Sequence, residues 1–79
     1  MSTLKLSNID LKTLRNFLTL IGCKQTRTSG GHEHWTRKDL LRPITFSNHI
    51  EPIPEFVMKN ILKQVAISKK EFFVIMKKR

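Results

Sequence analysis

The chain has 79 residues, and a domain of this size buries only about 60% of the surface its unfolded form exposes. This excludes a large enclosed pocket and points to a surface groove, or to a residue set on a sheet face, for any active site. Fifteen Lys and Arg against six Asp and Glu give a net charge of +9, which draws in polyanions. Nucleic acid is the leading partner, because each neutralised phosphate releases a counterion; a membrane surface or an acidic protein is the alternative. The single cysteine, Cys23, excludes an internal disulfide. No apolar run approaches the roughly 20 residues that cross a bilayer, and the N-terminal stretch has no secretory pattern, so the expected compartment is the cytoplasm and no membrane partner is expected.

In chain order, "SNIDLKTLRNFLTLIG" opens the pattern. Leu11, Leu14, Leu18 and Ile21 repeat at the spacing of one helical face, with Phe17 beside them. Ser7 and Asp10 have the form of a capping box, and Gly22 suits the left-handed stop. A helix is predicted over Asn8 to Ile21. The period then changes. Cys23 to Thr28 reads as a basic strand, "SGG" as a turn, His32 to Arg37 as a second strand, "KDLL" as a hairpin connection and Arg42 to Ser47 as a third strand. Pro43 cannot donate to a ladder and belongs at a strand start or an edge. Helical spacing returns with Pro54 in a first turn and the stripe Val57, Ile61, Leu62 and Val65. "SKKE", Ser68 to Glu71, is a second capping box opening a short helix with Phe72, Phe73, Ile75 and Met76. The expected fold is one α+β domain of order α-β-β-β-α with a closing helical turn or two, a three-stranded antiparallel meander carrying helices on one face.

The stretch "TSGGHEHWTR" carries the chemistry. Gly30 and Gly31 permit positive φ and close backbone approach, and His32 follows at the first strand position, near the cations Lys24 and Arg27. Imidazole can accept a proton from a hydroxyl and return one to a leaving group near neutral pH. RNA supplies its own nucleophile in the 2′-hydroxyl, so strand cleavage needs neither metal nor cofactor. Two-residue alternation puts His34 on the face of His32 and Trp35 on the other. His34 reads as a second proton-transfer group, a phosphate contact or, preferably, a half-buried structural histidine. Trp35 reads as a base-stacking platform or, preferably, as packing against the helices. His49 reads as a catalytic group or, preferably, as a residue that caps or orients the loop ahead of the helix that follows Pro54. Cys23, His32, His34 and His49 are acceptable zinc ligand types, but their spacing fits no closed structural motif, and no metal is expected. The lysines near the C-terminus read as a solvated helix end.

Taken together, Ile21-Gly22, Lys24 with Arg27, Gly30-Gly31-His32 with Trp35, "ITFSNH" ending in His49, and the Ile-Leu-Lys-Gln and Ser-x-x-Glu-Phe segments of the C-terminal third resemble the HicA-type toxins, the mRNA-cleaving partners of toxin–antitoxin pairs. The resemblance runs from about Leu11 to Phe73. It implies a double-stranded-RNA-binding-like fold, a metal-independent endoribonuclease dependent on His32 as general acid or base, and a HicB-type antitoxin as partner. Gly30 and Gly31 would then form the turn that positions His32. Lys24, Arg27, Arg37 and Lys38 are the expected RNA contacts, with Lys5 and Lys12 as further cations near the sheet. The chain departs from the family pattern at Ser47 (usually proline), at His34 (usually apolar), at "KDLL" (usually with a glycine) and at Ala66 (usually glycine). The other reading of the same composition is a non-catalytic RNA-binding module that recognises A-form shape. A third is an interaction protein whose positive face meets an acidic partner.

Overall fold

The computed structural model describes residues 6–78. Six elements follow one another: α1 (Leu11–Leu20), β1 (Lys24–Ser29), β2 (His32–Thr36), β3 (Ile44–Ser47), α2 (Glu55–Gln64) and α3 (Lys69–Lys78). The architecture is α+β. The strands form one antiparallel sheet in the order β1-β2-β3, and the helices among the described residues cover one of its faces.

The covered face follows from alternation. Glu33 and Trp35 on β2 and Ile44 and Phe46 on β3 are buried. Against them lie Leu11, Leu14, Phe17 and Leu18 of α1, and Met58, Ile61 and Leu62 of α2. Phe72 of α3 closes the core by meeting Phe17 edge to face, ring centroids 4.7 Å apart. The third helix is thus a full ten-residue element of the core, longer than the turn or two expected. On α2 the buried stripe runs through Met58 rather than Val57, which is only half-buried.

Helix α1 starts three residues later than its sequence suggests. Asp10 itself is the N-cap, its Oδ1 accepting from the Thr13 amide at 2.8 Å. Ser7 cannot cap there, because Asn8 adopts φ +58° and Ile9 is already bridged to Ile53. A second carboxylate serves the same helix end: Glu51 accepts from the Leu11 amide at 2.7 Å, across 40 residues of sequence. Such anions suit the positive pole of a helix.

Helices α1 and α2 close in the same way. Cys23 N–H reaches Leu18 O and Gly22 N–H reaches Thr19 O, with Gly22 at φ +91°. At the end of α2, Ile67 N–H reaches Leu62 O and Ala66 N–H reaches Lys63 O, but here the left-handed residue is Ala66, at φ +58°. A Cβ in this conformation costs about 1–2 kcal/mol, against about 0.5–1 kcal/mol of extra chain entropy for glycine. Ala66→Gly is therefore expected to stabilise the protein by about 0.5–1 kcal/mol and to raise Tm by a few degrees in a thermal melt. An unchanged or lower Tm would refute this. The capping box of α3 forms as its sequence predicts: Ser68 N–H donates to Glu71 Oε1 at 2.9 Å and Glu71 N–H to Ser68 Oγ at 3.0 Å.

The strands depart from their expected bounds at four ends: β1 runs Lys24–Ser29 rather than Cys23 to Thr28, β2 stops at Thr36 rather than Arg37, and β3 starts two residues late. Cys23 is spent closing α1. Strand β3 begins at Ile44 rather than Arg42, because the Arg42 and Pro43 carbonyls accept instead from Gln64 Nε2 at the end of α2, at 3.0 and 3.2 Å.

Candidate nucleic-acid interface

His32 opens β2 directly after the two-residue turn Gly30-Gly31, with Ser29 paired across to it. Gly30 takes φ +60°, a conformation glycine adopts at no steric cost. Gly31 has no such φ, and a Cβ there would meet only the exposed imidazole of His49, which would have to swing aside. His49 thus lies against the backbone next to His32, and the Asn48 amide donates to Gly31 O at 2.7 Å. It does not cap α2, which has no side-chain cap.

Partners in an antiparallel ladder share a face. His32 pairs with Ser47, His34 with Thr45, and Thr36 with Lys24. These residues lie on the face away from the helices. His32 is exposed, and His34 is half-buried with Nδ1 3.0 Å from Thr45 Oγ1. A bulge decides what joins them. Gln25 opposes Trp35 but Arg27 opposes His34, so Thr26 is an extra residue, its Oγ1 donating to His34 O at 3.0 Å. An unbroken ladder would have set Arg27 opposite Glu33, on the helical face. The bulge moves the guanidinium to the histidine face.

Beneath that face lies Glu33, which strand alternation sets beside Trp35. It is 2% exposed, yet charged. Arg15 Nε of α1 donates to both its carboxylate oxygens at 3.1 and 3.0 Å, Arg15 Nη2 donates to Oε2, and Trp35 Nε1 donates to Oε1 at 3.1 Å. Arg15 above all, with the Trp35 and Asn48 side chains, holds the Glu33 carboxyl below its ordinary range against the opposing effect of burial. Glu33 and Trp35 thereby pin β2 to α1, and His32 and His34 are left facing outward. Trp35, 5% exposed, packs under the helices as preferred from the sequence.

The remaining acids are also engaged. Asp10 and Glu51 serve α1, Glu71 closes its capping box, and Glu55 occupies the first turn of α2. Asp39 holds Arg37 through bonds of 2.6 and 3.0 Å, and Arg37 Nη1 also reaches Ile21 O at 3.1 Å. Arg37 therefore braces the end of α1 and is the one expected RNA contact with a structural commitment. Lys24, Arg27 and Lys38 are exposed. Lys12 is exposed on α1, and Lys5 lies outside the described residues. The strand residues on the open face thus include two cations and no carboxylate.

Cys23 is buried, and burial raises its thiol pKa, which disfavours a nucleophilic thiolate. Among the described residues no three His, Cys, Asp or Glu side chains cluster to hold a metal ion. No helix among them is long and apolar enough to cross a membrane. Comparisons of the chain with family models, with curated proteins and with solved structures gave no match.

Proposed function

We propose that this chain is a HicA-type toxin, a metal-independent endoribonuclease acting on mRNA in the cytoplasm and silenced by a HicB-type antitoxin. The observation that carries the reading is the setting of His32: an exposed imidazole at a glycine turn, on an open sheet face with two unopposed cations. RNA lies along that face, with Lys24, Arg27 and Lys38 against its phosphates. His32 exchanges a proton with the 2′-hydroxyl or with the leaving 5′-oxygen, and the cations stabilise the charge gathering on the phosphate. The α-β-β-β-α order with helices on one face agrees with the double-stranded-RNA-binding-like fold that the family resemblance implies; α3 extends it. An antitoxin that covers this face would present an acidic surface to it.

The test is incubation of the purified protein with end-labelled single-stranded RNA in excess EDTA. Cleavage to fragments with 2′,3′-cyclic phosphate and 5′-hydroxyl ends is the expected result. A retarded but intact RNA band would favour the non-catalytic binding module instead. Failure to bind RNA even at low salt would leave only the protein-interaction reading.

A further inference from the structure

We propose that His34 is the second proton-transfer group of the site, working with His32 across one phosphodiester and held in place by Thr45. This inference rests on the ribonuclease reading and specifies its chemistry.

Cleavage by the 2′-hydroxyl needs two proton transfers. One imidazole takes the 2′-OH proton as the oxygen bonds to phosphorus. The P–O5′ bond then breaks, and an imidazolium on the other side gives its proton to O5′. The products are a 2′,3′-cyclic phosphate and a 5′-hydroxyl; each ring has exchanged one proton and no oxidant or metal enters. One histidine cannot hold both protonation states at once, so a concerted step calls for a second group.

His34 meets the requirement by position. It stands two residues from His32 on the same strand face, which puts their Cα atoms about 7 Å apart, so a phosphate can lie between the two rings. The ring is oriented: Thr45 Oγ1 lies 3.0 Å from Nδ1. A hydroxyl both donates and accepts, so this bond survives either protonation state of the ring and leaves Nε2 for proton exchange. The surroundings are cationic. Arg27 faces His34 from β1, Lys24 lies two pairs further along beside Thr36, and Thr45 faces it from β3. The nearby carboxylate, Glu33, is on the opposite face and engaged with Arg15. The bulge at Thr26 brings Arg27 to His34 and so sets a phosphate-binding cation beside the proposed proton carrier. His49, by contrast, lies against Gly31, outside the ladder positions that share the face of His32.

The experiment is the pH–rate profile of RNA cleavage in EDTA for the wild-type protein, His34→Ala and His34→Gln, with Thr45→Val and Thr45→Ser alongside. The glutamine variant keeps a polar group for Thr45 without a titrating ring. The wild type is expected to give a bell. Both His34 variants are expected to lower kcat by about 10²-fold or more, to leave KM nearly unchanged, and to lose one limb of the bell. Thr45→Val should lower kcat with both limbs retained, and Thr45→Ser should not. If the His34 variants cleave at the wild-type rate, or are slow with both limbs intact, His34 carries no proton and the proposal fails while the ribonuclease reading stands. If the wild type itself leaves RNA intact, the underlying reading fails and this one with it.

Discussion

His32→Ala is expected to reduce RNA cleavage by about 10²–10⁴-fold, to abolish growth arrest on expression, and to leave the fold unchanged. The first part follows from chemistry. The ring occupies the strand position next to the turn on the open face and is exposed to solvent. The second part follows from exposure. Among the described residues its ring makes no hydrogen bond, and His32 belongs to no buried cluster; surface changes of this kind shift stability by about 0.5 kcal/mol or less. Cleavage assays on end-labelled RNA, run beside thermal melts of the same preparations, check both parts. Parent-rate cleavage by the variant would remove His32 from the chemistry. A large fall in Tm would make lost activity uninformative and would contradict the exposed setting of the ring.

Much of the molecule was legible in the amino-acid sequence, and for physical reasons. Leu11, Leu14 and Leu18 recur at helical spacing because one face of α1 must be buried. Ser68 and Glu71 cap α3 through contacts only three residues apart. Alternation in "HEHWT" separated the histidines from Trp35 correctly, because a strand has a strict period of two. Most of what failed was decided by residues brought together only by the fold. Ser7 and Asp10 look like a capping pair locally, but the Ile9–Ile53 bridge holds the preceding chain out of the helix. Strand β3 loses Arg42 and Pro43 to Gln64, more than 20 residues away. Arg37 reads as a free cation until Asp39 and the Ile21 carbonyl are brought to it. The bulge at Thr26 has no marker in "KQTRTS", so the face of Arg27 was not readable.

Glu33 lies between these cases. Alternation alone assigns it to the face of Trp35, so a buried carboxylate could have been inferred from the strand pattern. The identity of its partner could not, because several cations on α1 and the loops were equally available in one dimension. Its effect on function is indirect. A strand with histidines on one face and a pinned carboxylate on the other is fixed against slipping by one residue, a slip that would turn His32 and His34 inward.

Arg15→Ala is accordingly expected to be the most destabilising single change outside the apolar core. The two partners differ sharply in burial: the Arg15 side chain is 42% exposed and that of Glu33 2%. Removing Glu33 returns Arg15 to water at small cost. Removing Arg15 strands a buried carboxylate with only Trp35 and Asn48 for company, a loss of about 3–5 kcal/mol in a domain whose whole stability is about 5–15 kcal/mol. Glu33→Gln, which can still accept from Trp35, should cost distinctly less. The pH dependence gives a second, independent reading. In the wild type Arg15 lowers the folded-state carboxyl below its unfolded value. The pair's stabilisation is therefore complete above the ordinary carboxylate range and is lost as pH falls from there through the lowered folded-state value. Without Arg15, burial dominates and raises the folded-state value above the unfolded one. The stranded carboxyl is then best tolerated in acid, and stability declines as pH rises. The gap between wild type and Arg15→Ala should thus widen from about pH 4 to about pH 7, by the linkage between proton binding and folding. Urea midpoints for the wild type, Arg15→Ala and Glu33→Gln at both pH values measure this directly. Equal losses in the two variants, or a gap that does not change with pH, would show that the Arg15–Glu33 pair does not anchor the strand carrying the histidines.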